Sequence, residues 1–309
     1  MKRVQYHRYG GPEEMSIGEY TLPPLGPNDV RVSIKAAAIN PVDWKIRQGV
    51  MKFMTGKDFP KGMGSDFAGV VEAIGDKVDN VQVGDAVLGT MDIKKTAAFA
   101  ETVNTESRYV TKKPSNLSFS EAACLPIPAA TAWAAIIDKA KAQKGSRIFI
   151  HGCSGAVGRF AVQIARARGA YVSGSCGAAS MDSVKAAGID SVFEYADKAA
   201  FVSYGKFDAV FDTLGTLDVS EGLSMLKPKG IFLDINPTPR RILRGVISMR
   251  YKLVFSTMGN QHLPEIAKAA GKGELQSIIG LEAPFSDAIS VISNIEAGRR
   301  APGRAVLVF

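Results

Sequence analysis

The segment from Arg147 to Cys176 constrains the fold of this chain more than any other stretch. It begins with the unbroken apolar run Ile148-Phe149-Ile150, which is typical of a strand buried on both faces of a parallel sheet. A turn with glycine at every third position, Gly152, Gly155 and Gly158, follows at once and lets the backbone bend sharply and approach another group closely. A helix and a second strand complete the pattern, which predicts one βαβ unit.

The helix of this unit favours a bound anion. Its free N–H groups and the positive end of its dipole face the glycine turn, a good place for a pyrophosphate. Its apolar face has the helical spacing needed to pack on a sheet and consists of Val157, Phe160, Ala161, Ile164 and Ala165. Flanking strand and helix are the context that such a turn needs as evidence for a dinucleotide site. A tight turn that binds no nucleotide is the alternative.

Composition places the chain among soluble globular proteins, with 309 residues, 46% of them hydrophobic and 22% charged. It shows no signal-peptide pattern, and its three scattered cysteines form no disulfide framework, so we expect a cytoplasmic protein. The net charge is +8. The densest basic stretch, Pro239–Arg244, lacks the aromatic residues and the module of a nucleic-acid site. It predicts a solvated helix face, with peripheral membrane contact as a weaker alternative and no nucleic-acid partner.

The order of the remaining elements predicts two domains. Short strand-like runs separated by turns indicate a β-rich domain over residues 1–121, and Ser118 with Glu121 has the spacing of a capping box. Helices and strands then alternate in a number that fits a doubly wound parallel sheet of six strands. We expect the tail, 273–309, to contain a helix over 285–297 and a final strand over 305–309 and to fold back onto the first domain. Between the first domain and the tail, apart from the βαβ unit, we predict four helices and four strands. The helices cover 131–142, 181–187, 219–226 and 263–270, and the strands cover 192–193, 209–211, 231–235 and 253–255.

Six separated motifs identify a family that the chain resembles. They are Ala38–Lys45, Gly64–Val71, Val83–Asp85, Ala98–Glu101, Ala129–Trp133 and Pro302–Leu307. With them the chain resembles the zinc-free quinone oxidoreductases of the medium-chain dehydrogenase/reductase superfamily, the group that includes zeta-crystallin. In particular it resembles the plant chloroplast-envelope quinone oxidoreductase homologues and enone oxidoreductases. The resemblance implies an α/β fold, a homodimer, a GroES-like catalytic domain (1–121 and 273–309) and a Rossmann NADP(H)-binding domain (122–272).

The residue types argue against a metal site. Catalytic zinc takes three protein ligands, usually Cys, His or carboxylate, and keeps one open position. In the zinc-dependent relatives, a Cys and a His-Glu pair come from the stretches that here are Asn40–Lys45 and Gly64–Asp66, which contain neither Cys nor His. His7, His151 and His262 are far apart in the sequence. A lone histidine at a strand end, such as His151, is expected to be a hydrogen-bonded structural residue, so we predict no metal.

The residues after the second strand favour NADPH over NADH. In NAD-binding units an acidic residue about 20 positions beyond the glycine turn binds the ribose hydroxyls, whereas Ser173–Ser180 contains no Asp or Glu. Small and hydroxyl residues leave room for a 2′-phosphate, which an acid would repel. The resemblance places Gly177–Ser180 and Tyr195 at this phosphate, and it implies that Ser175 is a further cofactor contact. Ala179 and Ser180 replace cationic residues of relatives, which weakens the expected discrimination.

The resemblance also implies which residues contact the rest of the cofactor. They are Lys45, Thr131, Gly155, Ala156, Val157, Gly158, Thr213, Leu214, Ile235, Asn236, Met258, Gly303 and Arg304. The pairs 213–214 and 235–236 follow predicted strands, and ligands of open α/β sheets bind at the carboxyl ends of strands.

The predicted lack of a metal favours a substrate that can itself stabilise the negative charge it gains when it accepts a hydride. A simple ketone needs an ion or a Tyr/Lys pair at the developing alkoxide, but a quinone or an α,β-unsaturated carbonyl spreads the charge over a conjugated enolate. The sequence therefore predicts an NADPH-dependent, metal-free reductase of quinones or of alkenals and enones, with an apolar cleft between the domains. The candidate catalytic residues are Asn40, Asp43 and Lys45. Asn40 and Lys45 are the hydrogen-bond donors for the acceptor oxygen, and a turn-forming role is the alternative for Asn40 and Asp43.

Two other functions stay open at this point. One is a zeta-crystallin-like non-catalytic or RNA-binding protein, which the net charge permits. The other is reduction of an enoyl thioester on the same scaffold. Nucleic-acid binding that survives physiological salt would favour the first, and faster turnover of a coenzyme A thioester than of a quinone would favour the second.

Overall fold

The computed structural model describes residues 1–246, 248–254, 262–299 and 302–309. Its strands are β1 (Lys2–Tyr6), β2 (Met15–Glu19), β3 (Asp29–Ala38), β4 (Lys61–Gly62), β5 (Asp66–Ile74), β6 (Ala86–Thr90), β7 (Thr102–Glu106), β8 (Val110–Lys112), β9 (Arg147–His151), β10 (Tyr171–Cys176), β11 (Ser191–Glu194), β12 (Phe207–Asp212), β13 (Leu226–Asp234), β14 (Tyr251–Leu253), β15 (Ile279–Pro284) and β16 (Arg304–Val308). Its helices are α1 (Pro41–Arg47), α2 (Lys52–Thr55), α3 (Phe119–Ala123), α4 (Pro126–Trp133), α5 (Ala156–Ala167), α6 (Met181–Ala186), α7 (Lys198–Ser203), α8 (Val219–Ser224), α9 (Pro239–Val246), α10 (Leu263–Gly271) and α11 (Ala288–Glu296). Within those ranges, no helix combines the length and the hydropathy that a membrane crossing requires.

The chain forms two compact units, one of Met1–Ile127 with Thr257–Phe309 and the other of Pro128–Ser256. The boundaries therefore differ from residues 121 and 273, which the sequence suggested. Helix α10 accounts for the second difference because it packs beside β8 in the first unit. There the Asn116 amide donates a hydrogen bond of 3.1 Å to the Gly271 carbonyl.

The first unit is rich in β-structure, as predicted. Strands β2, β1 and β4 form a small antiparallel sheet, and a seven-stranded sheet has the order β15-β16-β3-β5-β6-β8 with β7 also on β3. Strand β3 alternates buried Val30, Val32 and Ile34 with residues that are partly exposed. Strand β16 pairs antiparallel with β3, with Val306 opposite Ala38. This pairing confirms that the tail folds back onto the first domain.

The second unit is a parallel sheet of six strands in the order β11-β10-β9-β12-β13-β14. The predicted six-stranded doubly wound sheet is confirmed, and β9 and β12 flank the point where the strand order reverses. The side chains of Ile148, Phe149 and Ile150 in β9 have 0% exposure, which explains the unbroken apolar run. The carboxyl ends of β9, β10, β12 and β13 lie at one edge of the sheet.

Several helix boundaries shift for local reasons. The predicted capping box is confirmed, since the Glu121 N–H donates 3.1 Å to Ser118 Oγ at the start of α3. Helix α4 begins at Pro126 rather than at residue 131, because proline fits a first helical turn, and it continues as a π-helical stretch over Ala134–Lys139. The helix predicted for 219–226 ends at Ser224, and β13 begins two residues later.

Three further differences concern the end of the second unit and the tail. Helix α7 was not among the predicted elements, and α9 was anticipated only as a helix face over residues 239–244. The strand predicted for 253–255 is observed as Tyr251–Leu253, and Phe255 lies outside the described residues. The helix near the C-terminus begins as a 3-10 turn at Phe285–Asp287 before it becomes α11.

Candidate dinucleotide site and a buried polar cluster

The glycine turn, Gly152–Gly158, connects β9 to α5, and each of its glycines meets a different constraint. Gly152 has a φ of +86°, and a Cβ there would lie 2.3 Å from Thr213 Oγ1. A Cβ on Gly158 would lie 2.1 Å from the Gly152 carbonyl oxygen, so only glycine lets the helix start against the turn. A Cβ on Gly155 would meet nothing closer than that oxygen at 3.4 Å. Space therefore remains above the N-terminus of α5.

Helix α5 presents free N–H groups to this space. Gly155 is its N-cap, with extended backbone angles, and no side chain caps the helix. The N–H groups of Ala156, Val157 and Gly158 belong to the first turn, which has no intrahelical acceptors for them. Twelve residues of helix stand behind these groups, which suits an anion such as a diphosphate. The geometry of the turn and its helix thus fits the predicted dinucleotide contacts.

The His151 side chain stabilises the glycine turn through two hydrogen bonds. Its Nδ1 lies 2.6 Å from Ser175 Oγ and its Nε2 lies 2.9 Å from Thr216 Oγ1. Burial lowers the pKa of His151, so the imidazole is neutral at pH 7 and joins three strand ends. The prediction that His151 is a hydrogen-bonded structural residue is confirmed. Ser175 has 0% exposure and positions the turn through His151, and the cofactor contact that the resemblance implies for it stays a prediction.

The end of β12 lies directly beside the glycine turn. Thr213 Oγ1 donates 2.8 Å to the His151 carbonyl, and the Asn236 amide donates 3.3 Å to the Thr213 carbonyl. These bonds bring together predicted contacts from β12 and β13. Leu214 is 40% exposed and follows Thr213 at this edge, and Ile235 is half-buried. The carboxyl edge therefore collects the residues that were predicted from strand ends.

Arg241 on α9 stabilises the carboxyl edge of the parallel sheet. It donates 2.8 Å to Asp212 and 2.7 Å to Asp234, and both carboxylates have 0% exposure. It also donates to the carbonyls of Gly215 and Leu217. The stretch 239–244 was predicted to be a solvated helix face, and for Arg241 that prediction is wrong. Its guanidinium forms ion pairs inside the second unit, because two buried acids require a counter-charge.

The residues predicted to contact a 2′-phosphate surround the end of β10. Gly177 precedes a 3-10 turn, Ala178–Ser180, and a Cβ on Gly177 would lie 4.0 Å from the Tyr195 ring. Tyr195 packs edge-on against His151. Burial raises the pKa of Tyr195 to about 12, so its hydroxyl stays protonated at pH 7. The loop contains no acid, and a small residue occupies each of its positions.

The first unit contains a buried polar cluster of Asn40, Asp43, Ser65, Asp66 and Arg304. Helix α1 starts after Asn40, whose N–H donates 2.8 Å to Asp43 Oδ2. Ser65 Oγ donates 2.7 Å to Asp43 Oδ1. Asn40 and Asp43 are each 2% exposed. These bonds support the turn-forming role of both residues.

The Asn40 side chain has no donor left for a ligand. Its Nδ2 donates 2.9 Å to Asp66 Oδ2 and 3.4 Å to the Ala38 carbonyl, and its Oδ1 accepts 2.8 Å from Arg304 Nη2. These bonds favour the turn-forming alternative for Asn40, and its role as a donor to the acceptor oxygen stays a prediction. Asp43, a candidate catalytic residue with the same turn-forming alternative, accepts hydrogen bonds from the Asn40 N–H and from Ser65 Oγ.

Burial sets the charge of the two acids. It raises the pKa of Asp43 to about 7, against hydrogen bonds from Ser65 and Asn40. It raises the pKa of Asp66 to about 6, against the positive charge of Arg304 and the hydrogen bond from the Ile127 N–H. The cluster thus holds protons in the range where ordinary carboxyl groups have lost them.

The polar cluster does not fit a zinc ion. Asp66 Oδ2 already accepts N–H groups from Asn40 and from Ile127, at 2.9 and 3.0 Å. The guanidinium of Arg304 stands where a cation would add repulsion, and zinc prefers imidazole and thiolate ligands that these positions lack. Among the residues that the structure describes, no three His, Cys, Asp or Glu side chains come together as a metal-binding group.

The other predicted contacts have varied positions. Lys45 is half-buried on α1, and burial lowers the pKa of its ammonium group. Gly303 has a φ of +116°, and a Cβ there would lie 2.7 Å from backbone atoms of β15 and its preceding residue, so it serves the strand pairing. Thr131 is 6% exposed on α4. Met258 lies outside the described residues.

A glycine-turn parallel sheet in one unit and a GroES-like β-rich unit beside it in the chain define a medium-chain dehydrogenase/reductase. The alcohol dehydrogenase GroES-like domain family matches residues 26–115, and the zinc-binding dehydrogenase family matches residues 156–235. Human quinone oxidoreductase is 30% identical over 327 residues that cover 100% of this chain and 98% of that protein. The chloroplast envelope quinone oxidoreductase homolog of Arabidopsis thaliana is 28% identical, with 93% of this chain and 92% of that protein covered.

A solved structure agrees with the sequence relatives. The quinone oxidoreductase from Coxiella burnetii superposes with a TM-score of 0.90 at 27% identity, and 100% of this chain and 99% of that chain are covered. The chain therefore belongs to the quinone oxidoreductase family of the medium-chain dehydrogenase/reductase superfamily. The resemblance carried by the six sequence motifs is confirmed.

Proposed function

We propose that the protein is an NADPH-dependent reductase that transfers hydride to quinones or to α,β-unsaturated carbonyls without a metal. The glycine turn is the observation that carries this proposal. Gly152 and Gly158 permit close packing, Gly155 leaves space, and α5 supplies unpaired N–H groups around that space. Such an arrangement matches a dinucleotide diphosphate in both shape and charge.

The reduced nicotinamide supplies the hydride when the cofactor is bound. This chain's residues bind and orient the cofactor, and the acceptor must then stabilise the charge that develops on its oxygen. A quinone or an enone meets that requirement because conjugation spreads the charge. The polar cluster offers no zinc ligand set and no free Asn40 donor, which favours such self-stabilising acceptors over simple ketones. Lys45 stays the candidate donor for the acceptor oxygen.

The loop after β10 supports the choice of NADPH. Residues 177–180 contain no acid to accept bonds from the ribose 2′-hydroxyl, and Ala178 and Ala179 are exposed small side chains. An acid at this point would repel a 2′-phosphate. The protonated Tyr195 hydroxyl and the Ser180 hydroxyl are hydrogen-bond donors at the same place.

A substrate panel tests this proposal. Oxidation of NADPH and of NADH is followed by absorbance with a benzoquinone, a short enone, a simple ketone and a coenzyme A enoyl thioester, each with and without a chelator. We expect turnover of the quinone or the enone with NADPH, unchanged by the chelator. Turnover of the ketone alone, or loss of activity with the chelator, would contradict the proposal. Faster turnover of the thioester would favour the enoyl-thioester alternative.

The non-catalytic alternative has less physical support after the fold is known. The net charge of +8 permits it, but Arg241 of the densest basic stretch, 239–244, is bound to two buried acids. A buried guanidinium cannot contact an RNA phosphate. A gel-shift experiment at physiological salt tests this alternative directly, and we expect no retained complex.

A further inference from the structure

Arg159 stands one helical turn after Gly155 on α5. Side chains of a helix lean toward its N-terminus, so residue 159 covers the surface near residue 155. The structure shows this lean, because Arg159 Nε donates 2.9 Å to the Ser154 carbonyl inside the glycine turn. The other end of the guanidinium reaches α6, where Nη2 donates 2.7 Å to Ser183 Oγ. Arg159 thus spans from the glycine turn to the helix that follows β10.

Both contacts of Arg159 border the loop 177–180. Ser183 lies three residues after Ser180, and the Tyr195 ring, which packs edge-on against His151 of the strand before the glycine turn, faces Gly177. The field of the guanidinium also reaches Cys176, the last residue of β10. Burial raises the pKa of the Cys176 thiol, and the charges of Arg159 and Lys185 act against that shift, while Glu194 adds to it.

Arg159 forms no ion pair with any described residue. Across residues 1–246, 248–254, 262–299 and 302–309, no carboxylate forms an ion pair with it, and its Nη1 has no hydrogen-bond acceptor. Arg166 on the same helix is different, because it lies 3.7 Å from Asp190. Partly buried cations without a counter-ion are unfavourable unless a ligand supplies the negative charge.

We propose that Arg159 is the cation that binds the 2′-phosphate of NADPH beside the loop 177–180. The inference rests on the proposed function, which requires a dinucleotide on the glycine turn. Ala179 and Ser180 supply no positive charge to that phosphate, and Arg159 reaches the same place from the neighbouring helix. A guanidinium binds phosphate oxygens through charge-assisted hydrogen bonds, and a ribose hydroxyl would not use its charge.

Fragments of the cofactor isolate this contact from catalysis. We would measure by calorimetry the Kd of 2′,5′-ADP and of 5′-AMP for the full chain and for Arg159→Gln, with Arg166→Gln as the matched control. We expect the Kd of 2′,5′-ADP to rise about 10- to 100-fold in Arg159→Gln. The Kd of 5′-AMP should stay within about twofold, and Arg166→Gln should change neither value. Arg159→Lys keeps the charge and should recover part of the loss.

A second measurement uses the unaltered protein. The 2′-phosphate of bound 2′,5′-ADP is titrated by phosphorus NMR. A guanidinium beside it favours the dianion, so its second pKa should fall below the ordinary value of about 6. An unchanged pKa would overturn the assignment of Arg159, even if Arg159→Gln did not fold.

The outcomes separate this inference from the proposed function. An equal loss of 2′,5′-ADP and 5′-AMP binding in Arg159→Gln would show a merely structural role and overturn the inference. Equal affinity of the unaltered protein for NADPH and NADH, with quinone reduction retained, would overturn it as well and leave the reductase intact. Failure of the unaltered protein to bind either dinucleotide would overturn the proposed function.

Discussion

The Asn40 side-chain amide donates a hydrogen bond of 2.9 Å to the Asp66 carboxylate, deep in the first unit. Arg304 Nη2 donates a hydrogen bond to Asn40 Oδ1. The Asn40 amide therefore lies between the buried Asp66 carboxylate and the Arg304 guanidinium. This relationship assigns Asn40 to the architecture of the polar cluster. The first two predictions test that assignment.

Replacement of Asn40 by alanine should lower stability more than it changes catalysis. The variant leaves Asp66 and Arg304 each short of a buried partner, and an unsatisfied buried polar group costs about 1–3 kcal/mol. Urea unfolding of Asn40→Ala should show a loss of that size. We expect kcat/KM for a quinone, measured below the unfolding transition, to stay within about threefold. A large fall in kcat/KM with full stability would restore Asn40 as a substrate-binding residue.

The stability of the first unit should fall as pH rises from about 4 to 7. Burial raises the folded-state pKa of Asp43 to about 7 and of Asp66 to about 6. The folded state therefore binds more protons than the unfolded state in that window, and deprotonation is unfavourable to folding. Asp43→Asn keeps an oxygen for Asn40 and a polar partner for Ser65 but cannot ionise.

Urea midpoints at pH 4.5, 6 and 7.5 measure this effect. Asp43→Asn should remove up to about 4 kcal/mol of the pH-dependent loss. Asp58 is exposed, so Asp58→Asn is the control and should leave the pH profile unchanged. A profile of Asp43→Asn that matches the unaltered protein would mean that Asp43 does not carry the raised pKa.

Loss of Arg241 should destabilise the second unit strongly. Arg241→Met removes the only cation that bonds both Asp212 and Asp234 in the described part of the chain. Breaking a buried ion pair from one side costs about 3–5 kcal/mol. The neighbouring Arg240 is exposed, and Arg240→Met should stay within about 0.5 kcal/mol of the unaltered protein. Chemical unfolding of both variants decides the matter, and equal stabilities would contradict the role of Arg241.

A negative charge at Gly155 should block the cofactor without disturbing the fold. Gly155 has an ordinary negative φ, and its Cβ position is open. Both Asp and Asn are good N-cap residues, so Gly155→Asp and Gly155→Asn differ only in charge. We expect the Kd of NADPH to rise at least about tenfold more in Gly155→Asp than in Gly155→Asn, because the carboxylate repels the diphosphate. Similar Kd values in the two variants would mean that no anion sits on the glycine turn.

Arginine at position 179 should strengthen the preference for NADPH. Ala179 is exposed in the loop after β10, so the longer side chain has room. A second cation near a 2′-phosphate contributes a charge-assisted hydrogen bond, and the Kd of NADPH should fall about 5- to 20-fold. Ala179→Gln is the uncharged control, and the Kd of NADH should not change in either variant. Parallel changes for both cofactors would place the phosphate elsewhere.

Local patterns in the sequence were sufficient for the main elements of the fold. The βαβ unit was evident because its strand, glycine turn and helix are adjacent in the chain, and the six strands followed from regular alternation. The capping box at Ser118 and the return of the tail were likewise predictable. These features depend on backbone conformation and on burial, which short stretches of sequence express directly.

The tertiary structure decided which polar side chains are free to act. Asn40 was an equally good donor or turn residue until Arg304, 264 positions away, was found bonded to it. In the sequence Arg241 is one residue of a basic stretch, and the structure shows that it pairs with the buried Asp212 and Asp234. Arg159 had no evident role until Ser154 and Ser183 placed it next to the loop after β10. The sequence alone located the glycine turn between strand and helix, because that depends on glycine spacing. The partner of each charge depends on residues far apart in the chain, and only folding brings those together.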